Sequence, residues 1–119
     1  MTKQHLFYPC TVTPTRHANQ RGGVGELVKA GLLDFPVNGS IFSAMSVLTI
    51  PPGSSIGVHL HPDDEEAYIV ISGTATYTSE EGEHPMGPGD IALCYQGEKH
   101  GIANTGETDL VMAGIVVKR

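Results

Sequence analysis

Gly53-Ser-Ser-Ile-Gly-Val-His59-Leu-His61-Pro-Asp-Asp-Glu-Glu66, followed by Gly73, is the stretch whose reading decides the fold. Residues two apart in a strand project to the same face, so His59 and His61 point together while Val58 and Leu60 point away. Pro62-Asp63-Asp64-Glu65 then reverses the chain. Glu66 opens what is expected to be the adjacent antiparallel strand, with Tyr68 and Val70 on its own face, and its carboxylate reaches the same point. A later segment, Gly89 through Gly97 to His100 and Asn104, delivers a third imidazole from a different strand. Three imidazoles and one carboxylate at these spacings suit a single divalent transition metal ion. Imidazole fits Fe, Ni, Cu and Zn, and the carboxylate widens the set to Mn, so ligand type leaves the metal's identity open.

Outward from this stretch the chain reads as short apolar runs cut by turn signals, the spacing of a sandwich or barrel. Phe42 to Ile50 is rich in β-branched and apolar residues, and Pro51-Pro52-Gly53 ends it because proline cannot continue a ladder. Ile56 to His61 and Glu66 to Ile71 are the next strands. Thr74 to Ser79 and Glu83 to Met86 flank Glu80-Glu81-Gly82 as a hairpin. Gly87-Pro88-Gly89-Asp90 turns into Ile91 to Tyr95, and His100 to Asn104 and Asp109 to Val117 complete the pattern. Gly25 to Leu33 is the one stretch with helical potential, but Gly25, Gly31 and the β-branched Val28 favour strand or loop. Pro52-Gly53 and Pro88-Gly89 each introduce a strand leading to inward histidines, which suggests two similar halves. Residues 1 to 21 are less regular and read as an N-terminal arm, with residues 22 to 119 as one barrel domain.

Composition agrees with this and removes several function classes. The 119 residues suit one domain, and 15 glycines and 8 prolines with 17% charged residues suit a turn-rich β protein. A net charge of -6 with only seven Lys and Arg argues against binding a phosphate backbone or an anionic membrane. The opening Met-Thr-Lys-Gln-His-Leu-Phe-Tyr-Pro lacks the apolar run of a signal peptide, and no stretch is long enough to span a membrane as a helix; the expectation is a cytoplasmic protein. Cys10 and Cys94 fall short of a disulfide framework and read as free thiols.

The spacings also resemble those of a known family. Gly53, His59, His61, Glu66 and Gly73 fit the cupin pattern Gly, five residues, His, one, His, four, Glu, six, Gly. Gly89, Gly97, His100 and Asn104 fit the second cupin pattern, with Tyr95 standing where the family usually has proline. The short stretch from Thr74 to Pro88 is similar to that of compact, single-domain microbial cupins. The resemblance implies an all-β, double-stranded β-helix, a jelly-roll barrel with the metal inside. It further implies that His59, His61, Glu66 and His100 are the ligands. On an octahedral ion they leave two positions for water, dioxygen or a bidentate substrate.

The remaining residues divide into bland and functional readings. The acidic run Asp63-Asp64-Glu65 reads as a solvated turn; were it to face the entrance, it would disfavour strongly anionic substrates. Tyr68 shares the face of Glu66 and either donates a proton or packs, and Glu66 and Tyr68 are the candidate catalytic residues. Tyr95 reads as a turn filler before a general acid. Phe42 and Met45 lie on opposite faces of their strand, so one of them is expected to line the pocket. Asn104 reads as structural, and His5, His17 and His84 as surface residues.

Three functions follow from these features. The favoured one is a metal-dependent enzyme acting on a small molecule at the open coordination positions, as dioxygenase, isomerase or lyase. The second is a non-enzymatic module in which the metal is structural or captures a sugar or another small ligand. The third rests on residues 1 to 21, which are placed to add a strand to a neighbour's sheet and produce a homodimer.

Overall fold

A computed structural model describes residues 13–33 and 40–119. Ten strands run through them: β1 (Thr15–Ala18), β2 (Glu26–Leu33), β3 (Phe42–Ile50), β4 (Ser55–Leu60), β5 (Asp64–Ser72), β6 (Ala75–Ser79), β7 (Gly82–Met86), β8 (Ile91–Cys94), β9 (Lys99–Ala103) and β10 (Leu110–Lys118), with one tight helical turn at Gln20–Gly22. The apolar run before Pro51 is β3, the Glu80-Glu81-Gly82 hairpin joins β6 to β7, and the ambiguous stretch after Gly25 is a strand. Within the arm of residues 1 to 21, Thr15–Ala18 pairs antiparallel with β2, so part of a segment that looked irregular is regular. His5 and Cys10 lie outside the described residues.

The strands form two antiparallel sheets. One has six strands in the order β1-β2-β3-β10-β5-β8, and the other has four in the order β4-β9-β6-β7. This is a double-stranded β-helix. Its core lies between the sheets, where Ile50, Val70, Ile102, Leu110 and Met112 are all at most 2% exposed. Each side chain of this size contributes about 1.5–3 kcal/mol on full burial. Asn104 fastens the end of the core: its amide donates to the carbonyls of Ile50 and Thr108, each at 2.8 Å, while its side-chain oxygen accepts the Gly106 N–H at 2.9 Å. That is the structural role expected of it.

One expectation needs correction. Glu66 does not open a strand paired with the one carrying His59. Both edges of β5 are taken, by β10 on one side and β8 on the other, and β4 pairs with β9. The turn after His61 therefore carries the chain from one sheet to the other. Glu66 faces the histidines across the interior of the barrel.

Candidate metal centre

Strand β4 sets the first two imidazoles. His59 and His61 turn inward, His61 to 5% exposure, and the alternate residues Val58 and Leu60 remain 55% and 45% exposed. His100 on β9 is the direct cross-strand partner of His59 and is fully buried. The backbone N–H of Gly97 donates to the His61 carbonyl at 2.7 Å, and His61 N–H donates to the Glu98 carbonyl at 3.0 Å, which extends the β4–β9 pairing past the strand end. Gly97 makes that turn at φ 85°, a conformation open to glycine. Glu66 enters from the facing sheet. The four side chains His59, His61, Glu66 and His100 each bring one donor atom to a common point, all within 4.8 Å of one another.

The shorter separations show what the cluster lacks. His61 Nε2 lies 3.1 Å from His59 Nε2, 3.0 Å from His100 Nε2 and 3.3 Å from Glu66 Oε1, and His100 Nε2 lies 3.0 Å from Glu66 Oε1. The far side of each ring is already engaged. His59 Nδ1 donates to the Gly57 carbonyl at 2.7 Å, and His61 Nδ1 donates to Asp64 Oδ1 at 2.6 Å. A carbonyl and a carboxylate only accept, so these partners take the Nδ1–H of each ring and turn both Nε2 atoms toward the common point. The two Nε2 atoms stand 3.1 Å apart, close enough to share one cation. His100 Nδ1 is held by the Tyr77 hydroxyl at 3.0 Å. The donor set, its convergence and its outer partners all fit a divalent cation, and outer partners of this kind orient metal-binding histidines.

Electrostatics give the same picture. Burial pushes the Glu66 carboxyl up, but hydrogen bonds from His100 and His61 outweigh it and hold the group at about 2, so it is ionised. Burial lowers the His59 imidazole, aided by the nearby His100, His61 and Arg21. Hydrogen bonding to Glu66, and then to Asp64, raises His61 against its burial. Tyr68 is 2% exposed, stacks on the His100 ring at 4.7 Å and 10°, and interacts with Glu66 through its hydroxyl. Burial, and then the Glu66 charge, pushes its phenol well above the ordinary range, so it keeps its proton.

The donors line a cavity of about 260 Å³. Three further expectations change here. Neither Phe42 nor Met45 lines the cavity; Ser43, Ala44, Ser46 and Leu48 of β3 line it instead. Asp64 is not part of a solvated turn but the acceptor that orients His61, and β5 begins with it. His17, read as a surface residue, lines the cavity together with Gln20, Arg21 and Lys29. Tyr95 is 57% exposed and lies outside, in a groove of about 420 Å³ that none of the four donors lines. Its N–H donates to Glu98 Oε1 at 2.9 Å, a bond that the usual proline has no hydrogen to make.

Residues 46–118 match the Cupin domain family. The chain belongs to the cupin family. An oxalate-binding protein of Thermotoga maritima is 34% identical to this cupin over 106 residues, covering 89% of this chain and 88% of its relative. The crystal structure of a predicted oxalate decarboxylase from the same organism matches with a TM-score of 0.90 at 31% identity, over 96% of this chain and 100% of that one. A cupin described as a sugar phosphate isomerase, from Silicibacter pomeroyi, matches with a TM-score of 0.67 at 25% identity, over 78% of this chain and 60% of that one. Among the described residues, no helix of this cupin is long and apolar enough to cross a membrane.

Proposed function

We propose that this cupin holds one divalent transition metal ion through His59, His61, Glu66 and His100 and uses it to bind and act on a small chelating carboxylate of the oxalate type. The observation that carries the reading is the convergence of three imidazole nitrogens on the Glu66 carboxylate inside a cavity, with one donor atom from each residue within 4.8 Å of the others. A bound cation of this kind supplies Lewis-acid polarisation of a ligand oxygen. Tyr68 keeps its proton, orients the Glu66 carboxylate and backs the His100 ring. A cavity of about 260 Å³ lies just below the ~300–1,000 Å³ usual for drug-sized ligands, which supports a small ligand. The names of the oxalate-binding protein and of the predicted oxalate decarboxylase support the same ligand class.

The enzyme reading is favoured over capture alone because the cavity is open and a protonated phenol, Tyr68, lines it beside the metal donors. The second reading, a binding module without turnover, is supported by the name of the oxalate-binding relative. Elemental analysis of the purified protein and its His59→Ala and His100→Ala variants tests the centre, which is wrong if both variants retain full metal. Incubation of the loaded protein with oxalate then separates the readings. Formate and carbon dioxide in equal amounts mark an enzyme that cleaves the carbon–carbon bond, and binding without products marks a module. A cytoplasmic location belongs to the same proposal, as does a homodimer formed through residues 1 to 21. The dimer is supported by β1 lying at the edge of the six-stranded sheet, where a second copy can pair.

A further inference from the structure

Two residues other than glycine have positive φ among the described residues, and both stand in one turn: Asn19 at φ 50° and Arg21 at φ 54°. Left-handed backbone at such side chains persists only where surrounding contacts impose it, and it concentrates at functional sites. The contacts are present. Asn19 N–H donates to the Gly25 carbonyl at 2.8 Å, and the Asn19 side-chain amide donates to the Gly23 carbonyl at 3.1 Å. Beyond the turn, Ser55 N–H donates to the Val24 carbonyl at 2.8 Å, and Val24 N–H donates to Ser55 Oγ at 2.9 Å. Neither Gly23 nor Gly57 has room for a Cβ, because Gly23 is pressed against the Ser55 carbonyl and Gly57 against the Arg21 carbonyl. The turn is thus seated on β4, the strand that carries His59, by a close backbone approach on both sides.

This seating puts Arg21 on the wall of the metal cavity, with His17 and Lys29 along the same side. Arg16, its basic neighbour in sequence, is paired with Glu26 at 3.0 Å, whereas Arg21 has no ion-pair partner among the described residues. The carboxylates that line the cavity, Asp64 and Glu66, are both engaged with histidines. An exposed guanidinium on the wall of the four-donor cavity, with no ion-pair partner among the described residues, is a fork-shaped donor to a carboxylate. Arg21 also lies outside residues 46–118, the part of the chain that matches the family.

We propose that the Asn19–Gly23 turn is an anion-recognition element and that Arg21 is a specificity-determining residue, selecting ligands that carry a second negative charge beyond the group held at the four-donor site. The inference rests on the metal-dependent reading above and adds the part of the ligand that the donors do not contact. The chelating oxygens go to the metal side, and the outer oxygen of the second carboxylate is met by the guanidinium. A chelating monoanion of similar size fills the first place and leaves the second empty.

The test uses the full chain loaded with manganese(II), titrated by calorimetry with oxalate and with glycolate, a chelating monoanion. Wild-type protein is expected to prefer oxalate. Arg21→Gln should lose about tenfold or more in oxalate affinity, the size of one charge-assisted hydrogen bond, with less than about a twofold change for glycolate and no change in bound manganese. Arg21→Lys should recover part of the loss. Equal weakening of both ligands, or unchanged oxalate affinity in Arg21→Gln, overturns the inference while leaving the metal reading in place. Failure of wild-type protein to bind either anion overturns both.

Discussion

The two sides of the metal cavity are built by different means. On the barrel side every candidate ligand ring is held from behind: His59 by a backbone carbonyl, His61 by Asp64, His100 by Tyr77 and by stacking on Tyr68. Those contacts join strands of both sheets, and the residues involved are buried or half-buried. On the arm side, His17, Gln20 and Arg21 come from β1 and a short turn whose backbone is left-handed at Asn19 and Arg21 and whose arginine is exposed. A metal site needs donors fixed to a fraction of an ångström, which a sheet interior provides. A turn seated on the outside of the barrel can vary without loosening the donors. On the proposed function, the contrast gives metal affinity to the barrel side and ligand choice to the arm side.

The largest effect that tests this division comes from pH. Ligand imidazoles bind only when deprotonated, so metal binding competes with protons. His61 is raised above its ordinary 6.5, so a proton occupies it below that range and must be displaced. His59 is lowered and competes less. Glu66, held at about 2, stays ionised throughout and adds no pH dependence above the carboxyl range. Metal affinity should therefore rise with pH through the imidazole range and fall on acidification, by about a hundredfold or more between pH 7 and pH 5. Competition titrations with a chelator of known affinity check this. A loss that begins only near pH 4 would falsify the histidine assignment and point to carboxylates.

Next in size are the groups behind the rings. Asp64→Asn leaves His61 without its charged acceptor, and Tyr77→Phe leaves His100 Nδ1 without a partner. Each should cost about 10–100-fold in metal affinity, the usual cost of losing such a partner. The same titration on Arg21→Gln should show wild-type metal affinity. If Asp64→Asn and Tyr77→Phe bind metal like the wild type while Arg21→Gln does not, the division between the two sides is reversed.

How much of this was legible depends on which physical rule carries each residue. The inward turn of His59 and His61 follows from strand alternation, which is local, and the exposure of Val58 and Leu60 agrees with it. Alternation gives a face but not a sheet. Whether Glu66 lies beside β4 or across from it depends on β8 and β10, which come much later in the chain and take both edges of β5. Asp64 lies three residues after His61, and its role appears only once Pro62 and Asp63 have turned the chain enough to bring its carboxylate to Nδ1. The arm residues left the weakest trace, because no periodicity links His17 or Arg21 to a site. One signal was present nonetheless: Gly57 interrupts the strand between Ile56 and Val58, and an isolated glycine in a strand marks close approach of another backbone. The backbone that approaches belongs to Arg21.

That close approach sets the smallest of the expected effects and isolates the arm most cleanly. Gly23→Ala keeps every charge and every metal donor but adds a Cβ where the Ser55 carbonyl already stands, so the turn must shift away from β4. Overpacking of this kind costs about 1–3 kcal/mol, visible as a lowered Tm. Because β4 stays paired with β9, the His59 and His100 geometry should hold and manganese affinity should be unchanged. Oxalate affinity should fall a few-fold, about threefold, less than for Arg21→Gln because a displaced guanidinium still attracts an anion at longer range. If the variant instead loses metal in proportion to its loss of stability, the turn is part of the scaffold of the centre, and the two sides of the cavity are one structural unit.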